Sequence, residues 1–147
     1  GILLYLSHPT ALLGQRNTIN VWVSGRQGNW NLGWDIGNLD LSLLVAYKLK
    51  MNWGARIRLI TVISDPNEEE NAKEFLSSLI NLARLPQTLT EVHIGDFRSI
   101  VNKVPSADLN IFGLDEDLQF DFVEEMSLKT KSSCLFVKDS GHESILA

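Results

Sequence analysis

The 147-residue sequence predicts an α/β domain: a mainly parallel sheet of five strands with helices on both faces. Two observations predict it. Five short apolar runs rich in β-branched and aromatic residues alternate with four helix-like segments, and strands joined that way require right-handed crossovers. The chain is also long enough for one domain, with 44% hydrophobic and 21% charged residues, an ordinary globular balance.

The strands are "TINVWV" (18–23), "RIRLITVI" (56–63), "LTEVHI" (89–94), "DLNIFGL" (108–114) and "SCLFVKD" (133–139). The first helix, "NLDLSLLVAYKLKMN" (38–52), opens on an Asn cap and is apolar around most of its circumference. A helix lying on a sheet needs one apolar stripe, so all-round apolarity predicts burial on more than one side. Either a second surface covers this helix, or it is sandwiched between the sheet and a neighbouring helix of its own domain.

The second helix has clear boundaries. Asp65 caps it, Pro66 sits in its first turn, and three glutamates occupy the positive end of its dipole. Ala72, Phe75, Leu76, Leu79 and Ala83 follow at helical spacing, and Pro86 ends the run. A third helix, "DFRSIVNKV", carries Phe97, Ile100, Val101 and Val104 on one stripe. The fourth, from about Leu118 to Lys131, buries Phe122, Val123 and Met126. The N-terminal "ILLYL" reads either as an extra strand or as the tail of an element belonging to an upstream domain. Residues 1–16 are therefore set apart as an extension, and 17–147 form the α/β domain.

Charge and composition remove several function classes. The net charge is −5 and the basic residues are scattered, without the clusters that displace counterions from nucleic acid. No apolar stretch approaches the length needed to cross a bilayer. "GILLYLSHP" is too short and lacks the basic start of a signal peptide. The single cysteine, Cys134, lies in the apolar run "SCLFV" and reads as a buried structural thiol in a reducing compartment.

Candidate sites yield no reaction. The loop after the first strand carries Gly25, Gly28, Gly33 and Gly37, a spacing that is not G-x-G-x-x-G, and no Gly-Lys-Ser/Thr follows. Trp30 and Trp34 in this Gly/Asn-rich loop fit a protein contact better, since aromatics dominate interface cores. With Tyr47 on the first helix, they form the predicted interface set. After the fourth strand, Gly113 is followed by Asp115, Glu116 and Asp117, which repel a polyphosphate. "DSGHE" (139–143) offers Ser140 and His142 to a hydrolase, but adjacent residues on one turn do not build a triad, and a polar turn is the better reading. His8, His93 and His142 lack metal-ligand spacing, and His93 reads as a half-buried packing residue. No catalytic, cofactor-binding or metal-binding residue is predicted.

Taken in order, "TINVWV", "NLDLSLLVAYKL", "ARIRLITVI", "KEFLSSLINLARLP", "ADLNIFGL" and "SSCLFVKDSGHESILA" resemble the cytosolic C-terminal domain of the cation–chloride cotransporters, prokaryotic members in particular. The resemblance covers roughly residues 17–147. It implies a universal-stress-protein-like fold with strand order 3-2-1-4-5, on the cytoplasmic side of a membrane transporter of the Na-K-Cl type. It further implies a non-catalytic regulatory and dimerisation role, with ions carried by the transmembrane part. The implied partners are that part, a sister cytosolic domain and a second copy of the chain; no cofactor is implied. The alternative is a stand-alone universal-stress-type nucleotide-binding protein, and weak nucleotide binding is compatible with both readings.

Overall fold

A computed structural model describes residues 1–24, 30, 38–114 and 119–139. Its elements are β1 (Ile2–Leu6), β2 (Thr18–Val23), α1 (Asn38–Trp53), β3 (Arg56–Ile63), α2 (Glu69–Ala83), β4 (Leu89–Ile94), α3 (Phe97–Ile100), β5 (Leu109–Gly113), α4 (Phe120–Thr130) and β6 (Ser133–Lys138). They form one mixed sheet of order β1-β6-β5-β2-β3-β4.

The five-stranded expectation is thereby corrected. The sheet has six strands, and its order differs from 3-2-1-4-5 because Ile2–Leu6 extends it beyond β6. Every pair among β2 to β6 is parallel, whereas β1 runs antiparallel to β6, with Ile2 opposite Lys138 and Leu6 opposite Cys134. "ILLYL" is thus a strand of this same sheet. It lies at the edge, where Ile2, Leu3 and Tyr5 stay exposed, while Leu4 and Leu6 turn inward against the core.

The two faces bury separate cores. On one, α1 and α2 cover Ile19, Val21, Ile57, Leu59, Leu109 and Ile111. On the other, α3 and α4 cover Trp22, Ile60, Phe112, Cys134 and Phe136. Both faces of the central strands are buried, which is why those strands read as near-continuous apolar runs rather than as alternation.

Local chemistry sets the boundaries. The Asp65 carboxylate accepts from the Asn67 amide at 2.9 Å, and Pro66–Glu68 form a single 3-10 turn that leads into α2. α2 ends at Arg84 in the left-handed conformation, with the Leu85 amide donating to the Ile80 carbonyl and Leu85 fully buried. The third helix is one turn, shorter than its apolar stripe predicts. Pro105 disfavours helical geometry at Val104, and the segment tightens to a Lys103–Ile100 turn bond instead.

Asp108 fixes the relative position of β2 and β5. Its carboxylate accepts from the amides of Asn17 (2.7 Å), Thr18 (3.0 Å) and Gln15 (3.3 Å), and from the Thr18 hydroxyl (3.2 Å). The chain approaches closely enough at Gly14, φ +54°, that a Cβ there would collide with this carboxylate.

α1 packs along one side on the strands of the sheet. Leu39, Leu41, Ser42, Leu43 and Ala46 are all buried within the domain. Toward its C-terminus the helix emerges, leaving Tyr47 37% and Met51 67% exposed, with half-buried Leu44 one turn before Tyr47.

Candidate functional site

The order in which strands are added to the sheet reverses at β2. From there β3 and β4 extend one way, and β5 and β6 the other. In open α/β sheets the crevice at such a switch point, outside the carboxyl ends of the strands, is where ligands bind. Here a cavity of about 330 Å³ opens at that place, on the α3/α4 face. Trp22, Val23 and Ser24 line it from the end of β2, Gly113 and Leu114 from the end of β5. α3 contributes Phe97 and Arg98, and α4 contributes Phe122.

The walls are aromatic and mutually braced. Trp22 stacks on Phe112 at 5.6 Å between ring centroids, with planes 9° apart, and Phe97 meets Trp22 edge-on at 5.6 Å. Phe122 packs edge-on against Phe112 at 6.1 Å. A buried polar relay holds the indole. Trp22 Nε1 donates to Asn110 Oδ1 at 2.8 Å, and Asn110 Nδ2 donates to Ser132 Oγ at 2.5 Å. Asn110 and Ser132 are almost wholly buried, so these bonds satisfy groups that would otherwise be costly to enclose.

Arg98, at the rim, is engaged elsewhere. Its guanidinium pairs with the Glu125 carboxylate, which also holds Lys129 Nζ at 3.0 Å, and that lysine donates to the Arg98 carbonyl at 3.1 Å. The cluster ties α3 to α4.

The remaining titratable groups are dispersed. His8 Nδ1 accepts from the Ala11 amide at 3.1 Å and organises a turn. His93 is half-buried on β4, 3.6 Å from Glu91, whose other oxygen meets Arg58 Nε at 3.0 Å. Among the described residues no three His, Cys, Asp or Glu side chains gather as a metal site. None of the described helices is long and apolar enough to cross a membrane.

Burial pushes the Cys134 thiol up to about 11, outweighing contacts with Thr130 and Ser132 that pull it down. The sign of the consequence is fixed. Between the ordinary thiol value near 9.0 and about 11, the unfolded chain loses its proton while the folded one keeps it. Stability therefore falls with pH across that window, by roughly 2–3 kcal/mol in total. Urea titrations from pH 8 to 11 are expected to show this extra loss in the wild type and not in Cys134→Ala.

Of the predicted interface residues, Trp30 is half-buried in the domain's own packing. Its ring lies 5.6 Å from Phe75, and its Nε1 donates to Glu68 Oε1 at 3.2 Å. Tyr47 is on the exposed part of α1. Trp34, Ser140 and His142 lie outside the described residues. The structure does not bring Trp30 and Tyr47 into contact through any described bond or ring pair. The cavity was missed by sequence reasoning, although a signal existed: the first and fourth strands each end on an aromatic followed closely by a small residue, Trp22 with Ser24 and Phe112 with Gly113.

What fold and site define together is the class of doubly wound α/β domains that offer a crevice at the switch point and apolar surface along one helix and one sheet edge. Within that class, this chain belongs to the prokaryotic cation–chloride cotransporter family: residues 14–146 match the profile of its C-terminal domain, second part. It is similar, at 39% identity and a TM-score of 0.89, to a solved structure described as the cytoplasmic domain of a prokaryotic cation chloride cotransporter. The similarity covers 98% of this chain and 54% of that one, so this chain spans about half the length of its solved relative. No curated protein matches it.

Proposed function

We propose that this chain is a non-catalytic regulatory and dimerisation domain, universal-stress-protein-like in its helix and sheet arrangement, on the cytoplasmic side of a cation–chloride cotransporter. Ions cross through a transmembrane part outside this chain. The domain works through the surfaces it presents to that part, to a sister cytosolic domain and to a second copy of itself.

The observation that carries this reading is the exposed side of α1 toward its C-terminus. Half-buried Leu44 and exposed Tyr47 and Met51 recur at helical spacing along that side, next to exposed Lys48 and Asn52, and an aromatic with a methionine is a pair enriched at interfaces. The family match over residues 14–146 and the 39% identical cytoplasmic domain support the setting.

Sedimentation velocity on the 147-residue chain tests the dimer. The wild type is expected to shift toward twice its 16.5 kDa mass with rising concentration. Tyr47→Asp with Met51→Glu is expected to weaken that association by at least about tenfold, because both place charge in apolar contact. A wild-type chain that stays monomeric up to about 100 μM, or a variant that associates equally well, contradicts the proposal.

A further inference from the structure

We infer that the cavity at the ends of β2 and β5 is a binding site for a small, planar, uncharged ring molecule of about two fused rings. Volume sets the size. A closed apolar cavity of about 150 Å³ takes one benzene ring, and this one, at about 330 Å³, has room for roughly twice that.

The walls set the chemistry. Phe97 and Phe122, both half-buried, present ring surface beside half-buried Val62, over a floor in which Trp22 and Phe112 are stacked on each other. Such walls favour a flat, polarizable guest that can stack offset or edge-on. The walls are also preorganised. The Ser132–Asn110–Trp22 relay fixes the indole, and Trp22 in turn braces Phe97 and Phe112. A guest therefore enters without first ordering side chains, which is where much of the cost of binding lies.

Electrostatics exclude an anionic guest. Among the described lining residues Arg98 is the one cation, and it is paired with Glu125. Gln119 at the rim and the polypeptide at Ser24 and Gly113 add polar surface that orients a ligand against the ring-lined side. This inference concerns the cavity alone and does not depend on the chain's dimerisation or on its transporter setting.

The test uses the 147-residue chain labelled with ¹⁵N, with indole as the neutral probe and magnesium-ATP as the anionic comparison. Indole is expected to produce saturating amide shifts concentrated at Val23, Val62, Gly113 and Leu114, with a Kd below about 1 mM. Val62→Phe fills the cavity and is expected to weaken indole at least about tenfold, while Arg98→Ala changes its affinity by less than about twofold. Shifts that are absent or scattered over the surface at about 2 mM indole overturn the inference, as does an unchanged affinity in a folded Val62→Phe. ATP binding tighter than indole, and weakened by Arg98→Ala, also overturns it by making the cavity a phosphate site. Should Val62→Phe fail to fold, the wild-type shift map decides alone.

Discussion

Phe136→Ala is expected to destabilise the domain by about 3–5 kcal/mol, the range for emptying an aromatic site in a packed core. Phe136 is fully buried in the middle of β6. It stacks on Phe112 at 5.5 Å, with planes 17° apart, and meets Phe122 edge-on at 6.1 Å. Its neighbours on the α4 side, Met126 and Cys134, are themselves fully buried and held by helix and sheet, so they have little freedom to close the void. For a chain of this length the loss corresponds to a fall in Tm of roughly 8–15 °C. Thermal unfolding followed by circular dichroism checks it. Phe136→Leu, which keeps much of the volume, is expected to recover more than half of the loss.

The second large effect comes from a single buried amide. Asn110→Leu keeps the approximate size of the side chain but removes both ends of the relay, leaving the Trp22 Nε1 proton without its acceptor and Ser132 Oγ without its donor. Orphaning a buried donor costs its full desolvation, so a loss of about 2–3 kcal/mol is expected. The mechanism has its own signature. In the Asn110→Leu background, Trp22→Phe removes the orphaned donor as well, and is expected to cost at least about 1 kcal/mol less than it does in the wild type. Urea denaturation of the four proteins in the cycle measures that coupling. Simple additivity would mean that the relay contributes packing and not hydrogen bonding.

These two residues also show where the sequence was legible. β2, β3 and β5 are buried on both faces and therefore appear as near-continuous apolar runs, a clear strand signal even with Asn20, Thr61 and Asn110 inside them. α2 was equally clear, since Asp65, Pro66 and the apolar stripe ending at Ala83 each have a local physical cause. β1 was ambiguous because five apolar residues at an edge have no turn signal before them, and their pairing with Cys134–Lys138 is contact across more than a hundred residues. The length of α3 was overestimated because its stripe continues through Val101 and Val104 after the helix has given way to a turn.

The cavity was the least legible feature. It is made by the relative placement of strand ends and two short helices, and no single segment encodes it. Asn110, read alone, is a polar residue in an apolar strand; only the fold reveals that it faces the Trp22 indole. Trp30 offers the converse lesson. In a glycine-rich loop it has the composition of a contact residue, and the structure places it against Phe75 and Glu68 of its own domain. Tertiary packing half-buries Trp30, whereas Tyr47 and Met51 on α1 stay among the exposed apolar residues.

The proposed contact surface is the exposed side of α1 at Tyr47 and Met51. Hydroxyl-radical footprinting of Tyr47 and Met51, compared between the 147-residue chain at low concentration and the intact transporter, tests it most directly. Both residues are expected to be modified rapidly in the dilute chain and to be protected at least about fivefold in the intact protein, as in an interface core closed to water. Equal modification in both would contradict it.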